Sequence, residues 1–406
     1  MDYLSNRIKG LSESQTIAMN RMSRELKEKG VDVISLSLGE PDFDTPKHIK
    51  EAAKKAIDEN YTHYPPVAGY PALRKAISEK FKRENNLNYA PEQIVVSTGA
   101  KQSIANIVLS LVNPGDEVII PTPYWVSYLE IVKLAEGRPV FVYAGIEKNF
   151  KISAAQLEAA ITDKTKLVIY SSPSNPTGSL YTKDELEAFA TVLEKYPYVY
   201  VISDEIYEHV NFEGKHESIA QFENIREQVI VVNGVSKAYA MTGWRIGYIG
   251  APLWIAKACD KMQGQITSGA SSISQMAAIA AVNSPPEVVE EMTNIFKKRR
   301  DMVLELLREI KGMKTNVPPG AFYIFTEISD YFGKTAGEWQ IENSTALCMY
   351  LLNEAHVGLV PGEAFGAPDY LRISYAASEE TLREAIRRIK EALEKLTVSD
   401  KQANLI

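Results

Sequence analysis

Short, nearly continuous apolar runs separated by amphipathic stretches fill the middle of this chain. Residues 94–97, 118–120, 167–170, 199–202, 229–232 and 246–249 are rich in Val, Ile, Leu and Tyr. They lack the polar alternation of a strand with one wet face, so they predict short strands buried on both sides. Residues 102–112 and 183–195 carry helical periodicity and predict crossovers. Asn113-Pro114-Gly115-Asp116 predicts a turn between one helix and the next strand. Buried strands alternating with helices predict an α/β domain with a mostly parallel sheet covered on both faces.

The ends read differently. Residues 11–29 predict a helix and 33–38 an extended segment. After Ser284-Pro285-Pro286 comes a long charged helix over 287–311, then strands over 321–325 and 371–375. An amphipathic helix over 378–396 closes the pattern. The expected organisation is a large domain over 45–285 and a small α+β domain built from 1–44 and 286–406.

Ligands of open α/β sheets bind beyond the carboxyl ends of the strands. The polar residues of the middle region gather there. Gly99-Ala100-Lys101 follows one strand, Asn175-Pro176-Thr177-Gly178 another, Asp204-Glu205-Ile206-Tyr207 a third and Ser236-Lys237 a fourth. Lys237 is unusual because its neighbours are Gly, Ala, Ser and Tyr, with Arg245 eight positions on. A lysine in so small and apolar a loop fits a Schiff-base amine for a phosphorylated aldehyde.

Composition narrows the field. The chain has 406 residues, 45 basic and 52 acidic side chains, and a formal net charge of −7. No basic stripe marks a nucleic-acid surface. No run of about 18 apolar residues marks a membrane span, and the N-terminus shows no apolar signal core, so a cytoplasmic enzyme is expected. Cys259 and Cys348 form no motif, and His48, His63, His209, His216 and His356 show no metal spacing, so no metal is expected. GxGxxG and P-loop motifs are absent.

Each remaining residue has a chemical and a plain structural reading. Small residues at 99–100 opening a helix, with Ser236 and Arg245, would hold a phosphate; they would also serve as an ordinary βα turn with a structural arginine. Asp204 ends an apolar strand and would pair with a pyridinium nitrogen, or cap a helix. Asn175 and Tyr207 would bind a phenolic oxygen, or form a turn and pack. Trp125 would stack on a flat ring or fill core. Arg372, amid apolar strand neighbours, would bind a substrate carboxylate or an internal acid.

Together these segments resemble the pyridoxal-phosphate-dependent aminotransferases of fold type I, most of all the bacterial branch of aspartate aminotransferases. The resemblance covers nearly the whole chain. Its other matching segments are 37–46 (Ser-Leu-Gly-Glu-Pro-Asp-Phe-Asp-Thr-Pro), 64–69 (Tyr-Pro-Pro-Val-Ala-Gly), 236–247 and 320–323 (Gly-Ala-Phe-Tyr). It implies pyridoxal 5′-phosphate as cofactor and ping-pong transamination of L-aspartate with 2-oxoglutarate. Lys237 would be the Schiff-base lysine, with Asp204 on the pyridine nitrogen and Asn175 and Tyr207 on the ring oxygen. Gly99, Ala100, Ser236 and Arg245 would hold the phosphate, and Trp125 would stack on the ring. Gly39 and Arg372 would take the α-carboxylate. Tyr64 would reach the phosphate of a neighbouring subunit, which implies a homodimer with shared sites.

The resemblance also implies a distal-carboxylate site. The stretch 263–268 has no arginine, where another branch takes one from the partner. Lys101 matches the lysine that the bacterial branch uses instead, assisted by Ser14 and Thr16. A cation in a helix's first turn opposes the helix dipole, which favours a functional reason for Lys101. The alternatives are aromatic, prephenate-derived or branched amino donors, a lyase on this fold, and a cofactor-binding transcription regulator. The last would need a DNA-binding module that the roughly 40 residues before Pro41 do not resemble.

Overall fold

The computed structural model describes residues 3–398. Its centre is a seven-stranded sheet. In chain order the strands are β1 (Ile94–Ser97), β2 (Glu117–Thr122), β3 (Arg138–Tyr143), β4 (Thr165–Ser171), β5 (Tyr200–Asp204), β6 (Val229–Gly234) and β7 (Gly247–Gly250). In space they run β1-β7-β6-β5-β4-β2-β3. β7 is antiparallel to both β1 and β6, and the other pairings are parallel. The sheet is therefore mixed at one side and parallel elsewhere.

The apolar runs are continuous because both faces are covered. Val118, Ile120, Ile169, Ile202, Ile230 and Val232 pack on one side with Ile104, Val108 and Ile255 of flanking helices. Ile119, Val168, Val201, Val229 and Val231 pack on the other with Leu186 and Phe189. Successive residues thus enter opposite cores, as a period of two requires. β3 carries no run in the sequence reading. It is the sheet's edge, partly exposed, and its Arg138 and Tyr143 face solvent.

A second apolar cluster joins the two ends of the chain. Ile34–Ser35 pairs in parallel with Val357–Gly358. Met19, Val33 and Leu36 pack with Phe296, Val303 and Leu307 of the long helix Glu287–Arg308, and with Ile373 and Ile389. Beside them an antiparallel sheet of four short strands includes Tyr323–Glu327 and Tyr370–Ser374. The last helix, Glu379–Leu393, buries Leu382, Ile386, Ile389 and Leu393 at spacings of three and four. Ser378 caps it, accepting a hydrogen bond from the Thr381 N–H.

Boundaries shift by a few residues. The first long helix starts at Gln15, because Ser14 is extended and takes the N-cap position. The helix after β1 starts at Ala100, two residues earlier than periodicity indicates. That shift places Ala100 and Lys101 in its first turn. The long charged helix stops at Arg308.

Candidate active site

β7 runs backwards, so its first residue meets the carboxyl ends of its neighbours. Gly247 pairs with Ser97 and with Gly234. Arg245, two residues before β7, thereby joins residues that follow β1, β4, β5 and β6. At this edge lies a cavity of about 240 Å³. Its wall includes Ser14, Thr16, Gly39, Ala100, Lys101, Trp125, Asn175, Asp204, Tyr207, Ser236, Lys237, Arg245 and Arg372. Gly99 backs this wall. Tyr64 stands apart, 94% exposed on the surface.

Glycine is required where backbones crowd. Gly99 has φ +81°, and a Cβ there would stand 2.2 Å from the Arg245 guanidinium. A Cβ on Gly247 would stand 2.1 Å from the Ala100 nitrogen. The first turn after β1 therefore lies against Arg245, with the Ala100 and Lys101 N–H groups ahead of the first helical bonds, which run from Gln102 and Ser103 to the Gly99 carbonyl. Unpaired N–H groups, a helix N-terminus, the Ser236 hydroxyl and a guanidinium form a cradle suited to a phosphate.

Lys237 donates a hydrogen bond to the Gly39 carbonyl. Burial lowers its pKa to about 8, and Arg372 and Arg245 add to that against the opposing pull of Glu40. A minor fraction of the amine, roughly a tenth, is therefore neutral at pH 7 and about half at pH 8, far more than for an ordinary lysine, and the neutral form is what a nucleophile or base must be. Asp204 is buried and makes no ion pair among the described residues. Its Oδ2 accepts from the Tyr128 hydroxyl at 2.6 Å and its Oδ1 from the Ile206 N–H at 3.3 Å. Burial raises its pKa to about 6 although both hydrogen bonds oppose the rise. A protonated ring nitrogen would relieve that penalty.

Arg372 is 1% exposed and has no carboxylate partner among the described residues. Its Nη1 donates to Asn175 Oδ1 at 2.9 Å and its Nη2 to the Ser37 carbonyl at 2.6 Å, leaving Nε without a partner. Tyr323 and Phe365 flank the guanidinium at 4.5 and 5.1 Å. Among the described residues, the internal ion pair that would explain Arg372 structurally is absent. The bond to Asn175 Oδ1 turns that amide's NH₂ to the other side. The Tyr207 and Tyr323 hydroxyls lie 2.7 Å apart. A Cβ on Gly39 would come within 2.6 Å of the Tyr323 hydroxyl, so only glycine fits.

Lys101 has no acidic partner among the described residues. Its ammonium sits 5.1 Å from the centre of the Trp125 ring. Its surface is open to solvent, yet the surrounding protein and then Arg245 lower its pKa. The two observations agree for a side chain whose stem is exposed and whose tip leans into the cavity. Ser14, Thr16 and Ile17 face the same space from the N-terminal helix.

Sequence reasoning missed Tyr128 and gave Tyr323 no role of its own. Both line the cavity. Tyr128 lies three residues beyond Trp125, and this proximity is the one local signal that would have found it.

The donors and charges at this edge fit pyridoxal 5′-phosphate: an anion cradle, a buried carboxylate wanting a cation, and an amine held near neutrality. Comparison with known proteins agrees. Residues 31–389 match the family "Aminotransferase class I and II". A probable aspartate/prephenate aminotransferase of Rickettsia felis is 50% identical over 98% of this chain and 98% of its own. The aspartate aminotransferase of Rhizobium meliloti superposes with a TM-score of 0.94 at 44% identity, covering 98% of this chain and 100% of that one. The Thermus thermophilus aspartate aminotransferase solved with maleate gives 0.90 at 41%, covering 97% and 100%. The chain belongs to the class I and II aminotransferases and is a pyridoxal-phosphate-dependent enzyme of the type-I fold.

Proposed function

We propose that this protein transfers the amino group of L-aspartate to 2-oxoglutarate, giving oxaloacetate and L-glutamate. One observation carries the reading: of the four cations that line the cavity, Lys237 and Arg245 fall to the cofactor in this reading, which leaves Arg372 and Lys101, with no acidic partner among the described residues, for the substrate. Both proposed substrates bring two carboxylates. A buried or half-buried carboxylate requires such a partner. The relatives support it, since their names include aspartate and one structure was solved with maleate, also a dicarboxylate.

In this reading Arg372 binds the α-carboxylate beside the Gly39 backbone. Lys101, helped by Ser14 and Thr16, binds the distal carboxylate. Ala100, Ser236 and Arg245, shaped by Gly99, hold the cofactor phosphate. Asp204 holds its ring nitrogen, Asn175 and Tyr207 its ring oxygen, and Trp125 covers its face. When bound, the cofactor supplies an electron-poor ring that accepts the electron pair left at Cα. Lys237 then removes the Cα proton as general base and returns it as general acid on the product side. Fixing the substrate at both carboxylates aligns its Cα–H with the Lys237 amine, and this ordering contributes to the rate.

A homodimer, with Tyr64 reaching the partner's phosphate site, accounts for so exposed a tyrosine. We also propose a division into 45–285 and a domain made from 1–44 and 286–406, and a cytoplasmic setting. No described helix is long and apolar enough to cross a membrane. A second substrate, prephenate as amino acceptor or an aromatic amino acid as donor, is favoured by relatives of both names and by Ile17 and Trp125 facing the cavity.

A panel of amino donors with 2-oxoglutarate, repeated on Lys101→Ala, tests this function. Losing one charged hydrogen bond should lower kcat/KM for aspartate by roughly 10- to 100-fold. Aromatic donors should be little affected. Equal loss for every donor would reassign Lys101 to the cofactor. Steady ammonia release without an oxo-acid acceptor would make the enzyme a lyase.

A further inference from the structure

The structure assigns Tyr128 as a positioning residue: its hydroxyl fixes Asp204 Oδ2 so that the carboxylate is held ionised and turned toward the cofactor's ring nitrogen. The assignment rests on the proposed role of Asp204 and adds a residue to it.

Tyr128 is 1% exposed and belongs to the helix Ser127–Leu134, while Asp204 ends β5. Nothing in sequence brings the two together. Their bond of 2.6 Å is short, as expected when the acceptor is a carboxylate. The buried phenol's pKa is pushed well above its ordinary value by burial and then by Asp204. It therefore stays a donor throughout the working range. The carboxylate thus has one oxygen tied by Tyr128, and the other accepts only the longer Ile206 N–H bond. A carboxylate anchored through one oxygen presents the other in one direction.

Trp125 lies just before this helix, its carbonyl accepts from the Tyr128 N–H at 2.9 Å, and its ring meets the Tyr128 ring edge-on at 5.4 Å. One short segment therefore sets both the ring that covers the cofactor's face and the donor that orients the group at its nitrogen. The other groups that face Asp204 are few. Glu205 raises its pKa and Lys237 lowers it, and Tyr207 lies three residues along the chain. Ser171 of β4 touches Tyr128 itself and eases its phenol's shift. Among these, Tyr128 is the one side chain that donates a hydrogen bond directly to the carboxylate.

The test measures pyridoxal 5′-phosphate binding to the ligand-free full-length protein between pH 5 and 9, for wild type, Tyr128→Phe and Asp204→Asn. Losing a hydrogen bond to a charged group should weaken binding by about 10-fold or more at neutral pH. Asp204 should also hold its proton to higher pH, so the acid-side fall in affinity should move upward in Tyr128→Phe. Replacing Tyr128 with 3-fluorotyrosine keeps shape and packing and makes the phenol a stronger donor. It should move that fall to lower pH, and it serves equally if Tyr128→Phe does not fold. Wild-type affinity and pH profile in both Tyr128 variants, with weak binding by Asp204→Asn, would overturn the assignment and leave the Asp204 role standing. Unchanged binding by Asp204→Asn would overturn that role and this inference with it.

Discussion

Asp204 and Glu205 are consecutive residues at one strand end, and they enter two opposite electrostatic worlds. Asp204 faces a cavity where charges lack ionic partners. Glu205 faces a buried network where every charge is answered. There Glu205 Oε1 accepts from Ser203 and Ser218, and His216 lies 3.0 Å from Oε2. Beside them, Lys80 and Asn85 both donate to Glu208. The pKa directions follow. Burial raises Asp204 to about 6. Burial also works against the Glu208 anion, but Lys80 prevails and its pKa is lowered. Burial disfavours the His216 cation, and Glu205 overrides it to raise that pKa. Paired buried charges are scaffold; unpaired ones, kept at a cost in stability, await a ligand.

Substitutions should divide along the same line. Lys237→Ala should lower transaminase turnover by at least about 10²- to 10⁴-fold. It should not unfold the protein, because it removes a buried cation that lacks an ion-pair partner. Lys237's lowered pKa penalises the folded, ligand-free state below pH 8, and this eases as pH rises from about 8 toward 10.5. The variant should therefore melt at or above the wild-type temperature at pH 7, and the difference should shrink above pH 8. A marked fall in melting temperature would place Lys237 in the scaffold.

Lys80→Ala should do the reverse. Stranding Glu208 in the interior should cost about 3–5 kcal/mol in chemical denaturation. The kcat/KM of the fraction that stays folded should change little. Loss of activity without loss of stability would mean the network serves catalysis directly.

The smallest effect is one of rate against pH. Capture of pyridoxal 5′-phosphate by the ligand-free enzyme should quicken as Lys237 loses its proton, with a midpoint near the value of about 8 set by burial. A midpoint near that of an ordinary lysine would show that the loop admits more water than its small side chains imply.

The contrast also shows what was legible in sequence. Strands buried on both faces announce themselves as unbroken apolar runs, and the residues after them share an edge by topology alone. Lys237, Asp204, Asn175 and Lys101 meet at that edge, where those runs put them. Arg245 precedes its strand, and it joins them because β7 runs backwards, a direction that no local pattern encodes. The edge strand β3 hid because its exposure breaks the apolar run. Tyr128 hid because its partner lies 76 residues away. Its apolar neighbours give it the look of core, and a phenol's hydrogen bond leaves no periodic trace. Whether a buried charge is paired depends on contacts between distant segments, so the pairing of Glu205 and the isolation of Asp204 emerge only in the fold.

The parallel pairing of Ile34–Ser35 with Val357–Gly358 has a consequence for how the protein is made. At about 5–20 residues per second, a ribosome finishes the second strand roughly 15 to 65 s after the first. Throughout that interval the N-terminal segment, with Met19, Val33 and Leu36, has no partner strand and no completed core to enter. Gly39 lies just beyond it. The cavity wall around Gly39 is therefore synthesised before the large sheet behind it, which is complete in sequence by Gly250, yet assembled after it. A nascent chain stalled before residue 357 would carry Lys237 and the cradle, the groups proposed for the cofactor, but lack Arg372, and with it the site proposed for the substrate's α-carboxylate.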